Sequence, residues 1–217
     1  GLADLKKAYR MAPKATRYFH SLANAYTDTA RYDEAINLIE RLNQKRAKKT
    51  ENEEAKKESE KTSIYDTPLV QVQLGNAYRL KKDYNKANIA FDYALKLRKK
   101  YPTALLGKAI ILWEKKKYDG AIKFFEQAAT AKQKFPEVYE NIGLMFLEMG
   151  HASSADTQLQ QALKLYREAG KGKRELTQFS IRVIEASNRR RQTSLTKKWE
   201  AVLDGLTKPI AQAASKK

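Results

Sequence analysis

The side chains that most often carry out catalysis are sparse in this chain. Its 217 residues include only two histidines, His20 and His151, and no cysteine. The two histidines are far apart in the sequence, and neither belongs to an HExxH-type spacing that would bind a metal ion. Without cysteine there is no thiolate nucleophile, no disulfide framework and no Cys-based metal site. The sequence therefore predicts no metal centre.

Motifs for cofactor binding and for proton transfer are missing as well. The nine glycines form neither GxGxxG nor GxxxxGK[ST], the loops that hold phosphate groups against backbone N–H donors. Acidic residues are frequent, but the sequence places none in the apolar setting that acid–base catalysis requires. We therefore predict that the protein is not an enzyme and that it needs no cofactor.

The chain is strongly basic, with a net charge of +18. Such a charge favours association with acidic proteins, phosphate backbones or anionic lipid headgroups. Salt weakens the affinity for each of these partners. Two clusters are the candidate basic patch: Arg98, Lys99, Lys100 and Arg189, Arg190, Arg191. Each lies at the end of a predicted helix, where cations also offset the partial negative charge of the helix dipole. A solubilising surface and an anion-binding surface therefore both fit these residues.

The elements that position these residues repeat with a fixed period. Three prolines and three alanines recur in steps of 34 residues: Pro68, Pro102, Pro136, Ala87, Ala121, Ala155. A period of this length is typical of one supersecondary unit copied in tandem. Arrays of such units stack each copy on the next and usually present a surface to a partner rather than a catalytic pocket.

Each repeat is predicted to form two helices. Apolar residues recur at i, i+3, i+4 and i+7, the spacing of a helix with one buried stripe. A short polar break, such as residues 82–85, separates the two halves of a repeat. Small residues such as Gly75 and Ala87 let two helix axes approach closely, and Phe91 fills the space beside them. The pattern predicts an all-α fold of antiparallel helix pairs.

This pattern resembles the tetratricopeptide repeat. The family has a small residue at position 8, an aromatic at 11, alanine at 20, an aromatic or aliphatic residue at 24 and alanine at 27. One copy in this chain has Gly75, Tyr78, Ala87, Phe91 and Ala94 at those positions. The resemblance covers roughly residues 1–170, although the first helices lack the family's usual Trp at position 4 and Lys108 breaks the pattern. It implies a right-handed superhelical solenoid.

The repeat array is predicted to occupy residues 1–170. Residues 1–13 look like the second helix of a half repeat, and full repeats follow at about 16–46, 68–101, 102–135 and 136–169. The interval from Ala35 to Ala87 is 18 residues longer than one period, and the excess lies in a charged insertion over residues 46–66. Because this stretch has no apolar face, we expect an extended helix followed by a mobile loop.

The period fails after Gly170, and residues 171–217 are predicted to form two helices and a frayed tail. An open array exposes an apolar flank at its last repeat, so these helices are expected to cap it. The alternative interpretation is that Trp199 and its neighbours dock a partner. The chain begins with Gly1, so we also expect it to be a piece of a longer protein.

The resemblance implies a binding groove, because family ligands lie along the first helices of successive repeats. Mapping the family positions onto this chain gives the candidate groove residues Arg17, His20, Asn24, Val72, Asn76, Arg79, Leu106, Ile110, Trp113, Glu140, Leu144. Asn24 and Asn76 occupy position 9, where the family often uses an amide to hold a ligand backbone. The alternative is that apolar members such as Leu106 and Leu144 pack between neighbouring helices.

One version of the family clamps a C-terminal carboxylate with lysines and asparagines. This chain keeps Asn24, but His20, Gln73, Thr103 and Gly107 stand where that pattern has Lys, Asn, Lys and Arg. We therefore do not expect recognition of chaperone tails.

Two functions fit the sequence. The first is a scaffold or adaptor whose groove binds a peptide or helical segment of a protein partner, acidic or part of a multiprotein complex. The second is a basic helical-repeat protein that binds nucleic acid or an anionic membrane surface through its lysine clusters. No apolar run has the length of a membrane span. The absence of cysteine fits the cytoplasm and equally a periplasmic fold without disulfides. The sequence leaves the compartment open; we favour the cytoplasm, and a periplasmic or membrane-associated location fits if an upstream signal or anchor has been removed.

Overall fold

The computed structural model describes residues 1–13, 15–50 and 67–208. The helices of this part are α1 (Leu2–Met11), α2 (Thr16–Asp28), α3 (Tyr32–Thr50), α4 (Pro68–Leu80), α5 (Tyr84–Leu97), α6 (Pro102–Glu114), α7 (Tyr118–Ala131), α8 (Pro136–Glu148), α9 (Ala152–Glu168), α10 (Lys173–Arg189) and α11 (Thr193–Thr207). The described residues contain no strand. The predicted all-α fold is therefore confirmed.

The repeated prolines mark the start of the first helix of a repeat. Pro68, Pro102 and Pro136 are each the first residue of a helix, where the missing N–H would have had no intrahelical partner. Thr67 caps α4 by accepting a hydrogen bond from the N–H of Val70 at 3.4 Å.

The turns between the two helices of a repeat share one backbone geometry. Each contains a residue in the left-handed region: Ala30 at φ +57°, Lys82 at +67°, Lys116 at +61° and Gly150 at +85°. The N–H of the next residue donates to the carbonyl five positions earlier, as in Asp83 to Tyr78 at 2.9 Å. This closure satisfies a terminal carbonyl that the helix leaves free.

The described helices form two compact units, and the first comprises residues 1–131. In this unit α2 pairs with α3, α4 with α5, and α6 with α7, while α1 packs on α2. Tyr9 of α1 contacts Phe19 of α2, with ring centroids 6.3 Å apart. The core contains the predicted alanines and aromatics, including the fully buried Ala87 and Phe91.

Close approach of α4, α5 and α6 depends on one aromatic ring and two glycines. A Cβ atom on Gly75 of α4 would lie 2.7 Å from the Phe91 ring, and one on Gly107 of α6 would lie 2.3 Å from it. Real side chains do not approach so closely, so both positions require glycine with this ring in place. Phe91 therefore joins its own repeat to the first helix of the next.

The second unit begins at Lys132 and contains the pairs α8 with α9 and α10 with α11. Trp199 of α11 has no exposed surface and packs edge-on against Phe179 of α10, with centroids 5.4 Å apart. Trp199 is thus a core residue of this unit, so its burial argues against the interpretation that it docks a partner.

The pair α10–α11 closes in the same way as the repeats, although no sequence period reaches it. Arg191 adopts φ +55°, and the N–H of Gln192 donates to the carbonyl of Ser187 at 2.9 Å. The division into a repeat array and capping helices stays a prediction. Of the predicted insertion, residues 46–50 continue α3, and residues 51–66 and the tail from 209 lie outside the described residues.

Candidate partner-binding face

The first helices of the three repeats in the first unit contact one another in succession, α2 with α4 and α4 with α6. Together they carry nine of the predicted groove residues, which we call the first-helix face: Arg17, His20, Asn24, Val72, Asn76, Arg79, Leu106, Ile110, Trp113. The remaining two predicted residues, Glu140 and Leu144, belong to the second unit.

A polar network joins α2 to α4. The side-chain amide of Gln73 donates to Oδ1 of Asn24 at 2.7 Å and to the carbonyl of His20 at 3.2 Å. Oε1 of Gln73 lies 2.8 Å from Nδ1 of His20. The Gln73 nitrogen donates two of these bonds, so the Gln73 oxygen must accept the third. Nδ1 of His20 is therefore the ring nitrogen that carries the donated proton. The buried amide is thereby satisfied.

An ion pair joins α4 to α6. Nη1 of Arg79 lies 2.7 Å from Oε1 of Glu114, and the side chains are only 15% and 22% exposed. Partial burial makes this pair less screened by solvent than a surface salt bridge. Arg79, predicted as a groove residue, is therefore held by an internal partner and fixes the spacing of the two helices.

The accessible part of the first-helix face combines amides with apolar groups. Asn24 is exposed and Asn76 is partly exposed. Three apolar residues of α6 are also partly exposed: Leu106, Ile110 and Trp113. Val72 is 5% exposed and contributes to the core. Amide side chains can hydrogen-bond an extended backbone, and partly exposed apolar side chains can accept the side chains of a bound segment.

Glu140 has internal partners in the second unit. Its Oε2 accepts from the Tyr166 hydroxyl at 2.7 Å, and its Oε1 accepts from Nε of Arg182 at 2.8 Å. Burial raises the pKa of Tyr166, and the negative charge of Glu140 raises it further. Glu140 is only 7% exposed, so we assign it the role of tying α8 to α9 and α10. Leu144 packs beside the core of the same unit.

The basic patch residues are all exposed at the ends of helices. Arg98, Lys99 and Lys100 follow the C-terminus of α5, and Arg98 lies over the ring of Tyr101 at 5.5 Å. Arg189, Arg190 and Arg191 lie at the C-terminus of α10, and Arg190 is 3.9 Å from Glu148. The two clusters belong to different units and are separate candidate sites.

Sequence reasoning missed the internal partners of the predicted site residues. Gln73 alternates with Val72 and Leu74 in α4, where Gln71 is another polar residue, and it is 8% exposed. A glutamine in such a stretch signals a buried amide that needs partners, and this was the available clue. Glu114 and Arg182 gave no comparable signal, because their partners lie 35 and 42 residues away along the chain.

Two features are absent from the described residues. None of the helices in residues 1–13, 15–50 and 67–208 has the length and apolarity needed to span a bilayer. In the same residues no three acidic or histidine side chains gather into a set that could hold a metal ion.

The structure defines the class as an all-α array of antiparallel helix pairs. Two family models described as tetratricopeptide repeat match the chain, one over residues 19–53 and the other over residues 72–136. These matches identify tetratricopeptide repeats within residues 19–53 and 72–136 of the chain. The predicted family and fold class are both confirmed.

Two curated relatives match parts of the chain, both from Caenorhabditis elegans. Stress-induced-phosphoprotein 1 is 27% identical over 101 residues, 46% of this chain and 32% of that protein. RNA polymerase-associated protein CTR9 is 31% identical over 83 residues, 38% of this chain and 7% of that protein. The chain thus spans a third or less of the length of these relatives.

A solved structure shows the same fold. The Cut9–Hcn1 hetero-tetramer of the APC/C superposes with a TM-score of 0.61 at 14% identity, covering 95% of this chain and 36% of that one. The tetratricopeptide repeats of the chain support a protein-interaction scaffold.

Proposed function

We propose that this protein is a non-enzymatic scaffold or adaptor whose first-helix face binds a peptide or a short helix of a protein partner. The observation that supports this most directly is the arrangement of α2, α4 and α6. Internal polar contacts hold His20, Gln73, Arg79 and Glu114. Asn76 and three apolar side chains of α6 stay partly exposed: Leu106, Ile110 and Trp113.

The polar contacts serve the binding face by fixing it in advance. A face that is ordered before binding loses less conformational entropy when a partner docks. Asn76 then offers both a donor and an acceptor to an extended backbone, as an amide side chain can. Leu106, Ile110 and Trp113 offer apolar contact, and aromatic residues are enriched among the residues that dominate binding energy.

The partners proposed for this face are segments of larger protein assemblies. The Cut9–Hcn1 hetero-tetramer, whose fold this chain shares, is itself such an assembly. The net charge of +18 would speed encounter with an acidic partner, because complementary charge steers association more than it strengthens the final complex.

Capture of partners from an extract of the source cells tests the proposal. Wild-type chain is compared with Asn76→Ala and Ile110→Asp, which alter the first-helix face. Ile89→Asp is the matched control, because Ile89 is 68% exposed on a second helix, α5. We expect the same proteins to be lost with Asn76→Ala and Ile110→Asp and retained with Ile89→Asp. Equal capture by all four chains would overturn the proposal.

A further inference from the structure

A concave surface lies between the second helices α5 and α7. It is a cavity of about 620 Å³, which we call the α5–α7 cavity. Its lining comes from the end of α5, the start of α6 and the C-terminal part of α7: Leu95, Lys99, Lys100, Leu105, Lys123, Phe124, Glu126, Gln127, Thr130, Ala131. A volume of this size is in the range of ligand pockets.

The floor of the cavity is apolar and one of its rings is fixed. Leu105 is 5% exposed, and Leu95 and Phe124 are partly buried. The ammonium of Lys108 lies 5.3 Å from the centre of the Phe124 ring and is itself paired with Asp92. The cation–π contact with Lys108 holds the Phe124 ring in place. Because Asp92 already neutralises Lys108, this contact adds no unpaired charge to the cavity.

The rim of the cavity is basic. Lys99, Lys100 and Lys123 are exposed, and none of them makes an ion pair within the described residues. Three uncompensated ammonium groups around an apolar floor would attract carboxylates that flank an apolar side chain.

The remaining wall favours a peptide over a simple anionic amphiphile. Glu126 contributes a carboxylate to the lining, and Gln127 contributes a side-chain amide. A carboxylate repels a ligand that carries only negative groups, but it accepts hydrogen bonds from backbone N–H donors. A peptide has such donors together with acidic side chains, whereas a long-chain carboxylate or phosphate has none.

We propose that the α5–α7 cavity binds an acidic segment of a protein partner, with one large apolar side chain seated between Leu95, Leu105 and Phe124. The acidic residues beside that side chain would meet Lys99, Lys100 and Lys123. This site is independent of the first-helix face and stands whether or not that face binds a partner.

Fluorescence anisotropy with a defined probe tests the site on the full chain. The probe is a fluorescein-labelled peptide of twelve residues in which a central Phe is flanked by Asp and Glu. We expect Lys123→Glu to weaken binding at least about tenfold, since a repulsive charge replaces an attractive one. Lys117→Glu is the matched control of equal net charge, because Lys117 is exposed at the opposite end of α7; it should weaken binding less than about threefold.

Two further arms separate the cavity from general charge attraction. Gln127→Trp should fill the cavity and weaken binding without changing the charge, and a probe with Ser in place of Phe should bind weakly to every chain. Circular dichroism confirms that each variant is folded, and Lys99→Glu replaces Lys123→Glu if the latter is not. The proposal would be overturned if Lys117→Glu weakened binding as much as Lys123→Glu does. It would also be overturned if the Ser probe bound as tightly as the Phe probe. Tight, Lys123-dependent binding of dodecyl phosphate without binding of the peptide would overturn it as well.

Discussion

A Cβ atom built on Gly107 would lie 2.3 Å from Cζ of Phe91, so the second helix of one repeat reaches into the first helix of the next. The contact spans a repeat boundary, from α5 to α6. Stability of a repeat array depends on such contacts between neighbours as much as on the packing within each unit.

Gly107→Ala is expected to destabilise the first unit. The added methyl group must displace the Phe91 ring, and overpacking of this kind costs about 1–3 kcal/mol. A contact of 2.3 Å is a severe clash, so we expect a cost in the upper part of this range. Such a cost exceeds the gain of about 1 kcal/mol that alanine normally brings to a helix interior. Thermal unfolding of the two chains measures the difference.

The control for Gly107→Ala is Gly205→Ala in α11, where a Cβ atom would meet nothing within 4 Å. This substitution should be neutral or stabilising. Phe91→Leu should recover part of the loss when combined with Gly107→Ala, because it removes the clashing atoms. Equal destabilisation by the two glycine substitutions, or none by Gly107→Ala, would show that the ring does not constrain α6.

Ala30→Gly is expected to stabilise the first unit by about 1 kcal/mol, because a left-handed residue with a Cβ costs about 1–2 kcal/mol relative to glycine. Ala30 adopts φ +57° and is exposed, so the substitution removes strain without removing a buried contact. Gly150→Ala, at φ +85°, should be destabilising by a similar amount.

Denaturant unfolding checks both changes at the left-handed positions. Ala201→Gly is the control, since Ala201 is exposed within α11 and glycine should lower stability there by about 1 kcal/mol. If Ala30→Gly lowers stability as Ala201→Gly does, the assigned turn geometry is incorrect.

The second unit should lose stability at high pH through Tyr166. Burial next to Glu140 raises the pKa of Tyr166 in the folded chain, whereas an unfolded tyrosine has a pKa near 10. The contribution of Tyr166 to the free energy of unfolding is therefore complete below about pH 10. It declines above that pH, because the unfolded chain then releases a proton that the folded chain retains.

Tyr166→Phe removes this titration. The free energy of unfolding of the wild-type chain should fall more steeply above about pH 10 than that of the variant, by up to about 1.4 kcal/mol per pH unit. Denaturant unfolding followed by circular dichroism at several pH values measures the two slopes. Identical slopes would mean that the phenol is not held as the geometry indicates.

Much of the fold follows from the sequence. The 34-residue step predicted the positions of Pro68, Pro102 and Pro136 at helix starts, because proline is suited to the first turn. It did not predict that α10 and α11 close through a left-handed Arg191. A non-glycine residue gives no sequence signal for a positive φ, so this turn was recognisable only from the backbone.

The candidate site was less predictable than the fold. Family positions selected His20, Arg79 and Glu140 as ligand contacts, but each has a partner on another helix of the protein. A side chain's position on a first helix shows which way it points, whereas its partner depends on residues far away along the chain. Single-sequence patterns carry the first kind of information and lack the second.

The high positive charge predicts weak binding to nucleic acid that salt abolishes. Phosphate contacts release counterions, so affinity falls steeply with salt concentration. Binding of single-stranded DNA should be measurable at low ionic strength and lost near physiological salt, and Ile110→Asp should change it little. Binding that persists at physiological salt, and that depends on Arg98 to Lys100 or on Arg189 to Arg191, would favour nucleic acid as the partner.

The central claim is that the first-helix face of α2, α4 and α6 binds a protein segment. The most direct test is calorimetric titration of a captured partner segment into the wild-type, Ile110→Asp and Ile89→Asp chains. Charge placed in an apolar contact should raise Kd at least about tenfold for Ile110→Asp. Kd should be unchanged for Ile89→Asp. A larger increase in Kd for Ile89→Asp than for Ile110→Asp would contradict the account.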